Sequence, residues 1–194
     1  MIYYNTIHKV LKQVHPDLNI TVSAREYISI YIIERFYRTV SEIMKRKYEK
    51  GTIDLDVISS ILKTVVDGEL YKHAYDEIIK YQTKLEKGTD INDLCLDRNS
   101  NLHQIKKFFK DINIDINVFE LLLPCAEYLL AEFLELSGNV CIDKKKTTVD
   151  SYHIFIATIN DIELDRLMIN INSISNHKKN YETSEKMLKY LGEM

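Results

Sequence analysis

The sequence predicts an all-α chain built as two consecutive three-helix units. Three observations carry that expectation. Only five Gly and two Pro occur among 194 residues, and 45% of the chain is apolar, which is the composition of a helical, core-forming protein and not of a disordered one. Apolar residues recur at three- and four-residue spacing along most of the chain. Each half also reads as a short helix, a very long helix and another short helix. After the first long helix comes Lys50-Gly51-Thr52-Ile53-Asp54, and after the second its echo, Lys146-Thr147-Thr148-Val149-Asp150.

The elements follow in order. Ile7, Val10, Leu11 and Val14 mark a first helix, which Pro16 ends because it disfavours helical geometry at His15. Ser23-Ala24-Arg25-Glu26 has the form of a capping box. From there to about Tyr48 there is no Gly or Pro. Tyr27, Tyr31, Phe36, Val40, Ile43 and Met44 give that stretch one apolar face, and about 26 residues at 1.5 Å rise make a rod near 40 Å. Gly51 is placed to stop it. Asp54 can cap the next helix, carrying Ile58, Ile61, Leu62 and Val65. Gly68 interrupts the pattern, and a fourth helix is expected from about Glu69 to Lys87. Residues 88–100 are polar apart from Leu94, Cys95 and Leu96 and read as a linker. Leu102, Ile105 and Phe109 mark a further short helix. A second long helix is expected from about Val118 to Ile142, and a third short one from about Ser151 to Ile159. Pro124 is awkward inside that long helix: the helix starts late, near Leu123, or it bends. The tail beyond Met168 is rich in Asn, Lys and Ser, with another helix from Thr183 to Leu191. The tyrosines at helical spacing read as core.

Composition excludes several classes. No run of about 18 apolar residues is present, so no membrane-spanning helix is expected. The N-terminus lacks the basic-then-apolar order of a secretory signal. Cys95, Cys125 and Cys141 are odd in number and form no C-x-x-C pair, which argues for a reducing compartment and against a disulfide framework or zinc site. The six histidines show no metal-ligand spacing. No nucleophile elbow, phosphate loop or acid/base pair stands out, so no enzyme activity, catalytic residue, metal or cofactor is expected. Net charge is −3, with the acidic excess in the second half, whereas a protein that neutralises DNA phosphates is usually strongly basic. A long helix flanked by two short ones cannot cover its own apolar stripe, but two such units crossing at their long helices bury both.

Two stretches carry a family resemblance. Lys9-Val10-Leu11-Lys12-Gln13-Val14-His15-Pro16-Asp17, with Gly68-Glu69-Leu70-Tyr71-Lys72-His73-Ala74, resembles histone 2B. Glu127 through Asn139 (EYLLAEFLELSGN), with Asn160-Asp161, resembles histone 2A. The first similarity covers roughly Tyr4 to Lys84 and the second roughly Leu102 to Met168. The 2B-like then 2A-like order is similar to the histone doublets encoded by some giant DNA viruses, and the abundance of Ile, Asn, Lys and Tyr suits an AT-rich genome. The resemblance implies two histone folds paired within one chain as a handshake heterodimer. Residues 1–87 are the 2B-like fold with its C-terminal helix, 88–100 a linker, 101–168 the 2A-like fold and 169–194 a divergent tail. It implies double-stranded DNA as ligand, histones 3 and 4 (separate or fused) and a second copy of the chain as octamer partners, and a virion, host nucleus or viral factory as the place of work.

In that family the loops at the ends of the long helices meet DNA phosphates, helped by helix N-termini. Carried over by position, the contacts are Thr21, Ser23, Lys50 and Thr52, with Lys45, Arg46 and Lys47 on the last turns of the first long helix. In the second half they are Lys106, Lys107, Lys144, Lys145, Lys146, Thr147 and Thr148. The departures are specific. The loop before Thr52 is two residues short of the 2B pattern and lacks its Lys-Arg pair. Thr148 and Asn113 stand where histone 2A carries arginines, and Asp111 and Asp115 flank the latter. The family's basic N-terminal tail is expected to be missing, and the segment beyond Met168 does not match the part of 2A that docks on histones 3 and 4. Lysine neutralises phosphate without the rigid fork of arginine, so a looser hold on DNA than that of cellular histones is expected. Taken alone, Lys144–Lys146 is an ordinary solvated loop.

The resemblance also implies an acidic surface that receives Arg-bearing peptides. Its matching positions are Glu69, Glu77, Glu127, Glu132, Glu135, Asp161 and Glu163, with Ile162 replacing one family carboxylate. On a helix Glu127, Glu132 and Glu135 fall within an arc of about 140°. Any single exposed carboxylate is usually just solvated. The other function class open to this sequence is an interaction protein: a histone-fold regulator that sequesters histones or transcription factors without wrapping DNA.

Overall fold

The computed structural model describes residues 3–47, 53–89, 94–96, 98–110, 112, 114 and 116–175. Among these the chain is almost wholly helical, as the sequence predicts. Helix α1 (Tyr4–Val14) buries Thr6, Ile7, Val10 and Leu11 and stops before Pro16. Lys12 closes the following turn by donating to the carbonyls of Pro16 and Leu18. A two-residue strand β1 (Asn19–Ile20) follows. The first long helix then runs without a break as α2 (Val22–Tyr27), a π-helical stretch (Ile28–Glu34) and α3 (Arg35–Lys47).

Two details there differ from expectation. The cap is Thr21, whose extended backbone aims its Oγ1 at the Ala24 N–H (3.2 Å), and Ser23 only touches the Thr21 hydroxyl. The expected contact positions Thr21 and Ser23 therefore sit at a capped helix start: Ile20 is in β1, and Val22 and Ser23 are already helical. The π-helical stretch was not foreseen. Its i→i+5 bonding widens the coil and lets Ile28, Ser29, Tyr31, Ile32 and Ile33 all turn inward. The five-residue step from Tyr31 to Phe36 in the apolar stripe is its trace in the sequence.

Asp54 caps α4 (Leu55–Val65) through the Val57 N–H at 3.0 Å. Gly68, with φ +63°, opens α5 (Gly68–Glu86). The expected linker ends early, because α6 (Arg98–Ile105) begins at Arg98. The second long helix is two pieces. Helix α7 (Ile116–Glu120) gives way at Leu121 to α8 (Leu122–Asp143). Pro124 lies in the first turn of α8, where its missing N–H would have had no helical partner, so the late start replaces a kink. After strand β2 (Thr148–Val149), Asp150 and His153 form a reciprocal capping box at the head of α9 (Ser151–Asn160). Helix α10 (Ile162–Ser175) continues through Met168, so residues 169–175 are helical where a divergent tail is expected. Residues 176–194, including the helix expected from Thr183, lie outside the described residues.

One hydrophobic core runs through both halves. Helix α8 packs on α9 of its own half and on α1 and α5 of the other, and α10 packs on α3 and α4. Thr39 donates to the Ile171 carbonyl (3.1 Å) and Asn170 to that of Val65 (3.0 Å), fixing α10 across the halves. The tyrosines read as core include Tyr3, Tyr27, Tyr31, Tyr37 and Tyr81, all buried. His15 fits against Gly138, where a Cβ would fall 2.0 Å from its ring, and the His15 Nε2–H donates to the Glu135 carbonyl at 2.9 Å. No described helix is long and apolar enough to cross a membrane.

Candidate nucleic-acid and protein interfaces

The two loops named in the sequence for phosphate contact at one end of the molecule meet each other. Strands β1 and β2 pair in parallel, Asn19 with Thr148 and Ile20 with Val149. The Asn19 N–H donates to the Thr147 carbonyl and the Thr21 N–H to that of Val149, each at 2.9 Å. This seam sets Thr21 against Val149, the residue after Thr147 and Thr148, with Ser23 following in the first turn of α2. Lys144, Lys145 and Lys146 are exposed next to the seam. The turn that carries them is held by the Lys145 and Lys146 N–H groups on the carbonyls of Ile142 and Cys141, with Lys145 at φ +56°. The repeat noticed in the sequence has a structural meaning here: Ile53 and Val149 are both buried, and Asp54 and Asp150 both cap the next helix.

A second basic group lies at the other end of the long helix, roughly 40 Å away by helical rise. Lys45, Arg46 and Lys47 occupy the exposed last turn of α3, with Arg46 3.5 Å from Glu42. Lys106 and Lys107, exposed after α6, are drawn toward this helix because Ser41 donates its hydroxyl to the Phe108 carbonyl. Arg38, absent from the sequence-derived set, stacks its guanidinium over the Phe108 ring at 5.3 Å. Arg38 and Lys107 both favour the charged form of Glu34, against the stronger effect of burial, which raises its pKa. Lys50 and Thr52 lie outside the described residues.

The seven carboxylates separate into two kinds. Three serve the fold. Glu127 accepts the backbone N–H groups of Cys95 (3.0 Å) and Leu96 (2.7 Å), pinning the linker, and burial pushes its pKa up despite those bonds. Asp161 caps α10 through the N–H groups of Glu163 and Leu164. Glu163 caps α5 from across the molecule, accepting from Glu69 (2.9 Å) and Leu70 (2.7 Å). Sequence position alone does not reveal these partners, since they lie 31 to 94 residues away for Glu127 and Glu163. Beside this cap Arg166 approaches Asp67 at 3.7 Å.

The other four face solvent in varying degree. Glu69 pairs with Lys72, and Glu77 with Lys80 at 2.6 Å. Glu135 is exposed. Glu132 is half-buried, and burial raises its pKa first, with Glu135 and Asp161 adding to the rise; the Tyr128 hydroxyl, donating at 3.3 Å, opposes it. Tyr128 is itself pushed up by burial and by Glu132, Glu163 and Glu135, and its ring lies 6.1 Å from that of His73. The fold thus gathers Glu132, Glu135 and Glu163 around one tyrosine, with Asp161 felt at Glu132, a concentration of negative charge able to hold a guanidinium through charge-assisted bonds. No group of three or more potential metal ligands occurs among the described residues. No model of a known protein family matches the chain.

The sequence also did not single out a buried carboxylate at the start of the second half, paired with an exposed arginine. Arg98 donates to both oxygens of Glu120, at 2.9 and 2.6 Å, and the Glu120 side chain is 2% exposed. A buried carboxylate persists only when so paired. This pair ties α6 to α7.

Proposed function

We propose that the chain is a fused 2B-like and 2A-like histone pair that packages DNA together with histone 3 and histone 4 partners, with a weaker hold than cellular histones have. The observation that carries this reading is the β1–β2 seam. It joins the loop before one long helix to the loop after the other and sets Thr21, Thr147 and Thr148 near an exposed lysine turn. Exchange of short helices between the halves, with α1 and α5 covering α8 and α10 covering α3, supports handshake pairing. Chemically, the lysines at both ends of the long helix would neutralise backbone phosphates, and the amides of helix N-termini would add directional bonds. Few arginines stand among these positions, so release is expected at lower salt than for cellular octamers.

The test is reconstitution with DNA, with and without a histone 3–4 tetramer, followed by nuclease digestion. A protected fragment only when both protein components are present is the expected result. The acidic cluster around Tyr128 and the net charge of −3 favour the second reading, a histone-binding regulator that does not wrap DNA. Histone binding without DNA protection would select it and reject the first.

A further inference from the structure

We propose that residues 94–96 form a strap that closes Glu127 to arginine-bearing partners and confines their binding to the Tyr128 end of the acidic surface. The strap exists because the two halves share one chain: it is the end of the connection that leads from α5 into α6. The inference rests on the reading of the acidic cluster around Tyr128 as a surface that holds guanidinium groups.

Three observations support it. The first is the form of the contact. Successive N–H groups, those of Cys95 and Leu96, donate to the two oxygens of one carboxylate, at 3.0 Å to Oε1 and 2.7 Å to Oε2 of Glu127. A guanidinium offers a carboxylate the same fork of two donors, so the strap takes the place that an arginine would occupy. The second is charge. The amides fill both oxygens without neutralising them. The ion pairs of this region go elsewhere, Lys80 to Glu77 and Arg98 to Glu120, and among the described residues none reaches Glu127. The charge felt there from α5 is another acid, Glu77. The site keeps its attraction for a cation while its acceptors are taken. The third is anchoring. Leu96 is 2% exposed in the core, and two residues on, Arg98 is held by both oxygens of Glu120. A donor fixed on the same chain acts at an effective concentration that a free peptide does not reach.

The geometry also defines what the strap withholds. Glu127 and Glu132 are five residues apart on α8, about 7.5 Å by helical rise, a distance that two or three residues of extended peptide span. With the strap lifted, a peptide carrying two arginines would bridge Glu127 and the Glu132–Glu135 pair. With the strap down, it has only the second.

The experiment uses the full chain and a fluorescein-labelled peptide with two arginines separated by one serine, with binding followed by fluorescence anisotropy. Leu96→Ser, which frees the buried anchor and leaves every carboxylate in place, is expected to bind the peptide about three- to tenfold more tightly than the parent, the effect of one added charge-assisted pair. Adding Glu127→Gln should remove that gain. The companion, Glu132→Gln with Glu135→Gln, should weaken binding in both backgrounds. If the companion weakens binding while Leu96→Ser brings no gain, or a gain that outlasts Glu127→Gln, the strap assignment is overturned and the acidic-surface reading stands. If the companion has no effect, the acidic-surface reading itself fails, and the inference with it. Should Leu96→Ser unfold the chain, hydrogen exchange of the parent carries the test. The Cys95 and Leu96 amides should then exchange more than about tenfold slower than in an unstructured chain, and unprotected rates at both would overturn the closure.

Discussion

Replacing Glu163 by Ala isolates a bond between the halves. Its carboxylate accepts the N–H groups of Glu69 and Leu70, two of the orphan donors of α5, at 2.9 and 2.7 Å. The residue placed to cap that helix, Asp67, makes no such bond, so Ala leaves both donors to water. A hydrogen bond to a charged group contributes about 1.5–3 kcal/mol, and loss of a helix N-cap costs about 0.5–2 kcal/mol. Glu163 is only half-buried and water partly replaces it, so the lower part of the combined range applies, about 2 kcal/mol. For a chain of this length that is a fall of about 4–8 °C in melting temperature. Urea unfolding should show a lower midpoint at unchanged slope, and hydrogen exchange should quicken at Glu69 and Leu70. Glu163→Gln, which keeps one acceptor, should lose about half as much. A loss below about 0.5 kcal/mol with unaltered exchange at both amides would refute the trans-capping argument.

Three further outcomes are expected. Gly68→Ala should cost more than about 2 kcal/mol, since the residue has φ +63° and a Cβ would fall 1.9 Å from the Glu163 carboxylate. Combined with Glu163→Ala the loss should be smaller than the sum of the two single losses, as calorimetry of the parent and the three variants would reveal. Glu127→Ala should speed alkylation of Cys95: it releases the two linker amides and removes a charge that, after burial, raises the thiol pKa. Mass spectrometry should find Cys125 and Cys141, both buried, still unmodified. Glu132→Gln should raise stability at pH 7 and flatten its pH dependence. A carboxyl whose folded pKa is raised binds its proton more tightly than in the unfolded chain, so stability falls as pH climbs from the ordinary carboxylate value through the raised one. Melting curves between pH 4 and 7 that are parallel for parent and variant would contradict this.

Local chemistry made much of the fold legible. The stripe Ile7–Val14, the Asp54 cap, the break at Gly68 and the four apolar residues of α4 all lie where periodicity and turn residues put them. The errors arise where two local signals compete or where a distant partner decides. Ser23 matched a capping box, yet Thr21, two residues earlier, had the extended backbone that a cap needs. Pro124 could not be settled without knowing that the chain turns at Leu121. Within the acidic set, composition could not distinguish Glu163 and Glu127, which hold amides far along the chain, from Glu135, which faces solvent. Helix α10 was cut short because its polar residues Asn170 and Asn172 looked like a tail; they bond to Val65 and Arg35 instead.

The shared core has a consequence for how the chain is made. A ribosome delivers α1 through α5 first, while α8, the helix that covers α1 and α5, ends only at Asp143. At about 5–20 residues per second, the 57 residues between Glu86 and Asp143 take roughly 3–11 s to follow. Throughout that interval Ile7, Val10, Leu70 and Ile78 have no second half to bury them. Exposed apolar surface on the nascent first half is the expected consequence, and slowing translation across residues 87–143 should lower the soluble yield.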